Sequence, residues 1–244
     1  MSAFKNSRNA IGILMVGHYS TKPAGRLASQ STFRFPVEIV EGTNIEDKLE
    51  EQQRVIEGDL SLVDDFIDAA RTLEKKGVVL ITSNCGFMSL YQGHIAGAVS
   101  VPVVTSSLII VPLIHRLLKK DQKIAILTYS EKYLAEKHFE AVGWNSSNIP
   151  VVVGGMDGIE SWDNLSQKTK DGRPCTRQME LDLVNAARRL CQLDGRIGAL
   201  VLECTAFPPY AKSIQKQIRL PVFDITTLVT FIYNGVCRRN YPLA

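Results

Sequence analysis

The 244-residue chain lacks several things whose absence narrows its role. No apolar run approaches the roughly 20 residues that a membrane-spanning helix requires, so no membrane partner is expected. A net charge of only +3 argues against a dedicated nucleic-acid surface and leaves small anions open as substrates. Histidine is scarce, and His94, His115 and His138 fall in expected helices without metal-ligand spacing. Five cysteines, an odd number scattered along the chain, do not resemble a disulfide framework. Free thiols in a reducing cytoplasm are expected instead. The opening MSAFKNSRNAIGILMVGHYS has a basic lead, but its apolar stretch is short and reads as a first buried strand rather than a signal peptide.

What is present is an alternation of short apolar runs with longer amphipathic ones, the pattern of an α/β protein with parallel strands. Expected strands are Ile11–Val16, Phe35–Val40, Val78–Thr82 and Val101–Val104, then Ile124–Thr128, Pro150–Val153, Ala199–Leu202 and Pro221–Asp224. Between them, Leu62, Val63, Phe66, Ile67, Ala70 and Leu73 recur at helical spacing, as do Met179, Leu183, Ala186, Ala187, Leu190 and Cys191. Gly77 and Gly195 are placed to end those two helices. IGILMVG from Ile11 matches IAILTYS from Ile124, an offset of 113 residues. Four strands in the same order, twice, predict two pseudo-symmetric lobes, each a four-stranded, mainly parallel sheet flanked by helices, with the active site in the cleft between them. The lobes are expected at 1–115 and 116–244, the C-terminal helix being a candidate to complete the first. Residues 161–178 read as a surface loop and residues 1–8 as a frayed end.

Two cysteines occupy matching places in this repeat. Cys85 lies in GVVLITSNCGF and Cys204 in GALVLECTAFPPY, and each is followed seventeen residues later by a proline, Pro102 or Pro221. Both pairs are offset by 119 residues. Each cysteine directly follows an expected strand, at the end where parallel α/β sheets bind ligands. Thiols placed so could face one pocket from opposite sides and move a proton between two faces of a carbon. A free thiol is only slightly ionised at neutral pH, so a following helix N-terminus is expected to favour the thiolate. Gly86 would allow close approach of backbone to ligand, and Thr205 brings a hydroxyl to the equivalent place. The alternative for each cysteine alone is a buried small hydrophobe.

CTAFPP at Cys204 resembles the Cys-Thr-x-Phe-Pro signature of the aspartate/glutamate racemase superfamily, which includes hydantoin racemases, maleate isomerases and arylmalonate decarboxylases. The two-lobed repeat, both cysteines and Thr128-Tyr129-Ser130 extend the likeness over most of the chain. The resemblance implies that Cys85 and Cys204 are a paired acid and base and that neither pyridoxal phosphate nor a metal is needed; members of the superfamily are often dimers, which makes a homo-oligomer a candidate state. Cys85-Gly86-Phe87 and Ala206 depart from the Cys-Asn-Thr and Cys-Thr-His of glutamate racemases, which makes a plain glutamate racemase a poor fit.

Remaining candidates for substrate contact lie at other strand ends. His18 ends the first strand, and Thr128 and Tyr129 follow the fifth. Ser83 and Asn84 precede Cys85, and alternation sends one of them into the cleft. The segment from Thr21 to Thr32 reads as a flexible loop over the cleft, with Arg26 expected to be solvated rather than bound to a carboxylate. Three functions stay open. The first is a cofactor-independent racemase or epimerase acting on a small carboxylate- or amide-containing molecule, an amino acid or a hydantoin. The second is an isomerase or decarboxylase that uses one cysteine, and the third a non-enzymatic small-molecule binder.

Overall fold

A computed structural model describes residues 9–17, 24–29, 31–163 and 177–240. The first sheet contains β1 (Ile11–Met15), β2 (Val37–Glu41), β3 (Leu80–Ser83) and β4 (Val103–Val104). The second contains β5 (Lys123–Leu127), β6 (Val151–Gly154), β7 (Ile197–Leu202) and β8 (Val222–Phe223). Every pairing is parallel, and the orders β2-β1-β3-β4 and β6-β5-β7-β8 are the same order used twice. Each lobe is therefore a four-stranded parallel sheet flanked by helices, as the repeat predicts.

The repeat extends to single hydrogen bonds. Ile81 N–H donates to the Pro102 carbonyl and Leu200 N–H to the Pro221 carbonyl, both at 2.9 Å. Each proline thus supplies an acceptor just ahead of its edge strand. Lacking an N–H, it stays outside the ladder, and β4 and β8 are shorter than the apolar runs imply. At the other end of these strands, Asn84 N–H donates to the Leu14 carbonyl and Glu203 N–H to the Leu127 carbonyl. Asn84 and Glu203 are consequently equivalent positions.

Helices α1 (Lys48–Glu57), α2 (Val63–Lys75), α3 (Gln92–Ala96) and α4 (Val111–Leu117) accompany the first sheet. Helices α5 (Glu136–Glu140), α6 (Arg177–Gln192), α7 (Ala211–Ile218) and α8 (Ile225–Val236) follow β5 in the chain. α2 buries Phe66, Ala70 and Leu73 of the face expected from spacing, together with Ala69, while Val63 and Ile67 are half-buried. Gly12 of β1 lets Leu73 lie against the strand, since a Cβ there would sit 2.9 Å from Leu73 Cδ1. Gly77 (φ +79°) follows α2 in the left-handed region as expected. Gly195 does not, because α6 stops at Gln192 and the turn before β7 is closed by Asp194, which accepts from Arg196 N–H at 3.0 Å.

Two apolar cores result. One runs between the lobes, where Ile124 and Ile126 of β5 and Ala199 and Val201 of β7 join the side chains around β1 and β3. Their neighbours Ala125, Leu127, Leu200 and Leu202 point the other way, onto α6, Trp162 and Phe207. α8 adds Ile225, Leu228 and Val229 to the interlobe core and contacts β3, while Tyr233 stacks on Phe35 at 3.7 Å between centroids. The last helix therefore packs on the first sheet. Among the described residues no helix is long and apolar enough to cross a membrane. The expected loop at 161–178 and the frayed residues 1–8 fall largely outside the described residues.

Phe66 is fully buried, lies against Gly42 and packs edge-on to Tyr91 at 4.9 Å. Phe66→Ala should cost about 3–5 kcal/mol, seen as a lower urea midpoint at unchanged slope.

Candidate active site

The carboxyl ends of β3 and β7 meet. Asn84 and Cys85 leave β3 in extended conformation and enter a 3-10 turn from Gly86 to Tyr91. Glu203 and Cys204 leave β7 and run into the 3-10 turn Pro208–Tyr210, which continues as α7. One hydrogen bond ties these two turns together across the lobes, and a second joins the turn after β4 to the end of β7. Thr205 Oγ1 donates to the Asn84 carbonyl, and Ser107 Oγ donates to the Leu202 carbonyl at 2.9 Å.

Cys85 and Cys204 line one pocket, as their equivalent positions predict. Gln52 and Ile56 of α1 and Tyr129 after β5 complete its walls. Its enclosed volume is about 20 Å³, about the room of a single water. The four described cysteines are all free thiols. Cys191 is half-buried on α6 against the second core, where burial raises its thiol to about 11. No group of three or more His, Cys, Asp or Glu able to hold a metal ion occurs among the described residues.

The other expected site residues divide by what their polar atoms do. Asn84 and Thr205 line the pocket, but both are engaged in holding the turns. The Asn84 amide accepts from Val16 N–H at 2.6 Å and donates to the Val16 carbonyl at 3.0 Å. Of Ser83 and Asn84, only Asn84 reaches the pocket. Ser83 is fully buried and donates to the Thr105 carbonyl at 2.7 Å. Thr128 is also fully buried, its hydroxyl given to Glu203 Oε2 at 2.7 Å rather than to the pocket. Tyr129 does line the pocket. His18 lies outside the described residues.

Glu203 is the residue that motif reading passed over. Its side chain is completely buried, Oε2 is held by Thr128, and Oε1 has no hydrogen-bond partner. It lies against Gly86, whose missing side chain makes its room: a Cβ at 86 would collide with Glu203 Oε1 and with the Glu203 carbonyl. The glycine expected to admit a ligand thus admits a carboxyl group. A signal for Glu203 was available, because the 119-residue offset that pairs the cysteines also carries Asn84 onto it.

Arg26 departs from expectation as well. It is only 7% exposed, in a folded segment where Gly25 (φ +95°) packs on Pro209 and the Arg26 carbonyl accepts from Ser29 N–H at 3.0 Å and from Thr32 Oγ1. Its charge favours the Cys204 thiolate. His138, fully buried, is neutral because burial lowers it to about 4; Nδ1 accepts from Ala135 N–H at 3.1 Å and the ring packs edge-on to Phe87.

The electrostatics reverse a second expectation. Backbone N–H groups of Phe87 and Met88 at Cys85, and of Ala206 at Cys204, do favour thiolates. Burial outweighs them, and the Glu203 carboxylate adds to it. Cys85 is driven far above the ordinary thiol range, and Cys204, although Arg26 opposes the rise, to about 12. Glu203 itself is raised by burial to about 7, against the opposing hydrogen bond from Thr128.

No protein-family model matches the chain. Among solved structures, unliganded arylmalonate decarboxylase superimposes with a TM-score of 0.57 at 13% identity, covering 96% of this chain and 94% of that one. Glutamate racemase isoform RacE1 from Bacillus anthracis gives a TM-score of 0.57 at 15% identity, covering 94% and 83%. The chain shares its fold with these decarboxylase and racemase structures. By sequence, a dimethylsulfoniopropionate lyase of Durusdinium sp. clade D is 29% identical over 229 residues, 89% of this chain and 71% of that protein. Dimethylsulfoniopropionate lyase 5 of Emiliania huxleyi (strain CCMP1516) is 29% identical over 170 residues, and the match spans only 34% of its length.

A raised Glu203 has a consequence for stability. Between its ordinary value of 4.5 and its folded value of about 7, the native state keeps a proton that the unfolded chain has lost. Stability must therefore fall as pH rises through that window, by on the order of 3 kcal/mol, and level off above it. Glu203→Gln lacks this loss, so its Tm should gain on the wild type from pH 4.5 to 7 and then hold steady. A constant Tm gap would contradict the raised carboxyl. Gly86→Ala should displace the carboxyl or the turn and cost about 1–3 kcal/mol in urea unfolding.

Proposed function

We propose that the pocket removes a proton from the carbon next to a carboxylate in a small substrate, without an organic cofactor, with Cys85 and Cys204 as its acid–base groups. The observation that carries this reading is the pair of thiols at equivalent strand ends, both lining one pocket. Arg26, buried beside Cys204, supports an anionic substrate. The strand-end N–H groups of Phe87, Met88 and Ala206 supply donors that favour negative charge where an enolate-like intermediate would form.

The fate of the carbanion depends on the β-carbon. With a β-sulfonium group, the electron pair forms the C=C bond while the C–S bond breaks, so dimethylsulfoniopropionate would give acrylate and neutral dimethyl sulfide. The names of the sequence relatives, matched over most of this chain, favour this elimination. The proton stays on the base, so one thiol suffices. Without a leaving group, return of a proton from the opposite thiol inverts the carbon. That two-base racemisation is the second reading, favoured by the equivalent placement of the thiols and expected from the Cys-Thr-x-Phe-Pro resemblance. For elimination Cys204 is the base, because Arg26 eases its ionisation; for racemisation each cysteine is the base for one enantiomer.

Proton NMR in deuterated water separates the readings. With dimethylsulfoniopropionate, acrylate signals should appear; with amino acids, hydantoins and small diacids, elimination predicts no α-proton wash-out and racemisation predicts it. Cys204→Ser should lower the rate at least about 100-fold. Cys85→Ser should match that loss for racemisation and fall well short of it for elimination. Full activity in both variants would remove the thiols from the mechanism.

A further inference from the structure

The thiols pose a problem for the function just proposed, since a base must first lose its own proton and both thiols are held protonated by their surroundings. Among the described residues, Glu203 is the one carboxyl group that lines the same pocket. Its backbone adjoins Cys204, and its Oε1 lies against Gly86, the residue after Cys85. One carboxyl group therefore borders both cysteines. Oε2 is anchored by Thr128, while Oε1 is buried without a hydrogen-bond partner. A buried acceptor left unsatisfied is costly unless a proton reaches it.

We propose that Glu203 is the proton-accepting partner of the two thiols: its free Oε1 takes the thiol proton and returns it, so that one negative charge is shared among three groups. This rests on the reading of the cysteines as acid–base groups. The step balances. Cys–SH and Glu–COO⁻ become Cys–S⁻ and Glu–COOH; the thiolate then takes the substrate α-proton and is again a thiol. The exchange moves no net charge into or out of the pocket, so it avoids the cost of burying a second ion. It also cancels an opposing force, because the Glu203 charge that holds the thiols protonated disappears when the carboxyl accepts the proton. Near neutral pH the raised Glu203 is poised both to hold and to release a proton.

The charged and titratable groups facing Glu203 come from four places. They are Cys204 on its own turn, Cys85 on the turn after β3, Tyr129 after β5, and Arg26, which acts through Cys204. Thr128 faces it as a neutral donor, and α1 presents the neutral Gln52 and Ile56.

The test reads thiol ionisation directly and needs no substrate. The wild-type protein and Glu203→Gln are treated with iodoacetamide at pH 5.5 to 9.5, and alkylation of Cys85 and Cys204 is followed peptide by peptide by mass spectrometry. The amide that replaces the carboxyl keeps an oxygen for Thr128 but cannot take a proton. In the wild type, alkylation should rise along a limb that levels off above a midpoint near 7, because the three groups then share one charge; in Glu203→Gln the levelling should vanish and the rate should keep climbing, exceeding the wild type at least tenfold by pH 8.5. Thr128→Val, which removes the donor that steadies the carboxylate, should move the wild-type midpoint upward. Should Glu203→Gln misfold by circular dichroism, the Thr128→Val shift decides alone. Unchanged profiles in the folded variants would overturn the proposal. A wild type that shows the Glu203-dependent limb yet turns over no carboxylate would instead sink the functional reading and leave this one standing.

Discussion

Everything at the site depends on the joining of two strand-end turns across the lobes. Parallel sheets leave unpaired backbone groups at their carboxyl ends, and in this fold the ends of β3 and β7 satisfy part of that need from hydroxyls on the turns after β7 and β4. Thr205 reaches the Asn84 carbonyl, and Ser107 reaches the Leu202 carbonyl. These bonds are buried, so breaking one leaves an unsatisfied acceptor that water cannot easily repair. The interlobe core, built from β5 and β7 side chains against those around β1 and β3, presses the same surfaces together. Cys85 and Cys204 become neighbours as a consequence.

Closeness has an electrostatic cost that shapes the chemistry. Helix-start N–H groups favour a thiolate, but they act on thiols removed from most of the surrounding water, and desolvation wins. A third acidic group in the same pocket strengthens that outcome as long as it is charged. The arrangement makes sense as a site where charge is moved rather than accumulated. Arg26 breaks the symmetry between the halves by favouring negative charge at Cys204. Gly86 and Glu203 break it again, because the first turn gives up a side chain so that the second can place a carboxyl group.

The function proposed for this pocket rests on a demand common to three reactions. Racemisation, decarboxylation and β-elimination of small carboxylates all pass through negative charge on the carbon beside a carboxylate. One architecture can serve all three, because the substrate's leaving group, as much as the protein, decides the product. This is why the fold leaves the reaction class open, and why the sequence relatives, rather than the structures, favour elimination.

Periodicity and repetition in the chain were enough to specify the two sheets, their parallel order and the equivalence of Cys85 with Cys204, since these follow from local apolar spacing and from offsets of 113 and 119 residues. Strand ends were less legible: Pro102 and Pro221 contribute carbonyls without joining the ladder, so β4 and β8 shrink. The direction of each polar side chain lay beyond linear reading. Ser83 and Thr128 sit at strand ends like true pocket residues, yet tertiary neighbours claim their hydroxyls. Arg26 reads as a solvated loop residue until the segment folds onto Pro209 and buries it. Glu203 reads as an ordinary glutamate before a cysteine. Only the meeting of two turns 119 residues apart makes it a buried, half-satisfied acid, because burial and hydrogen-bond supply are properties of what comes together in space.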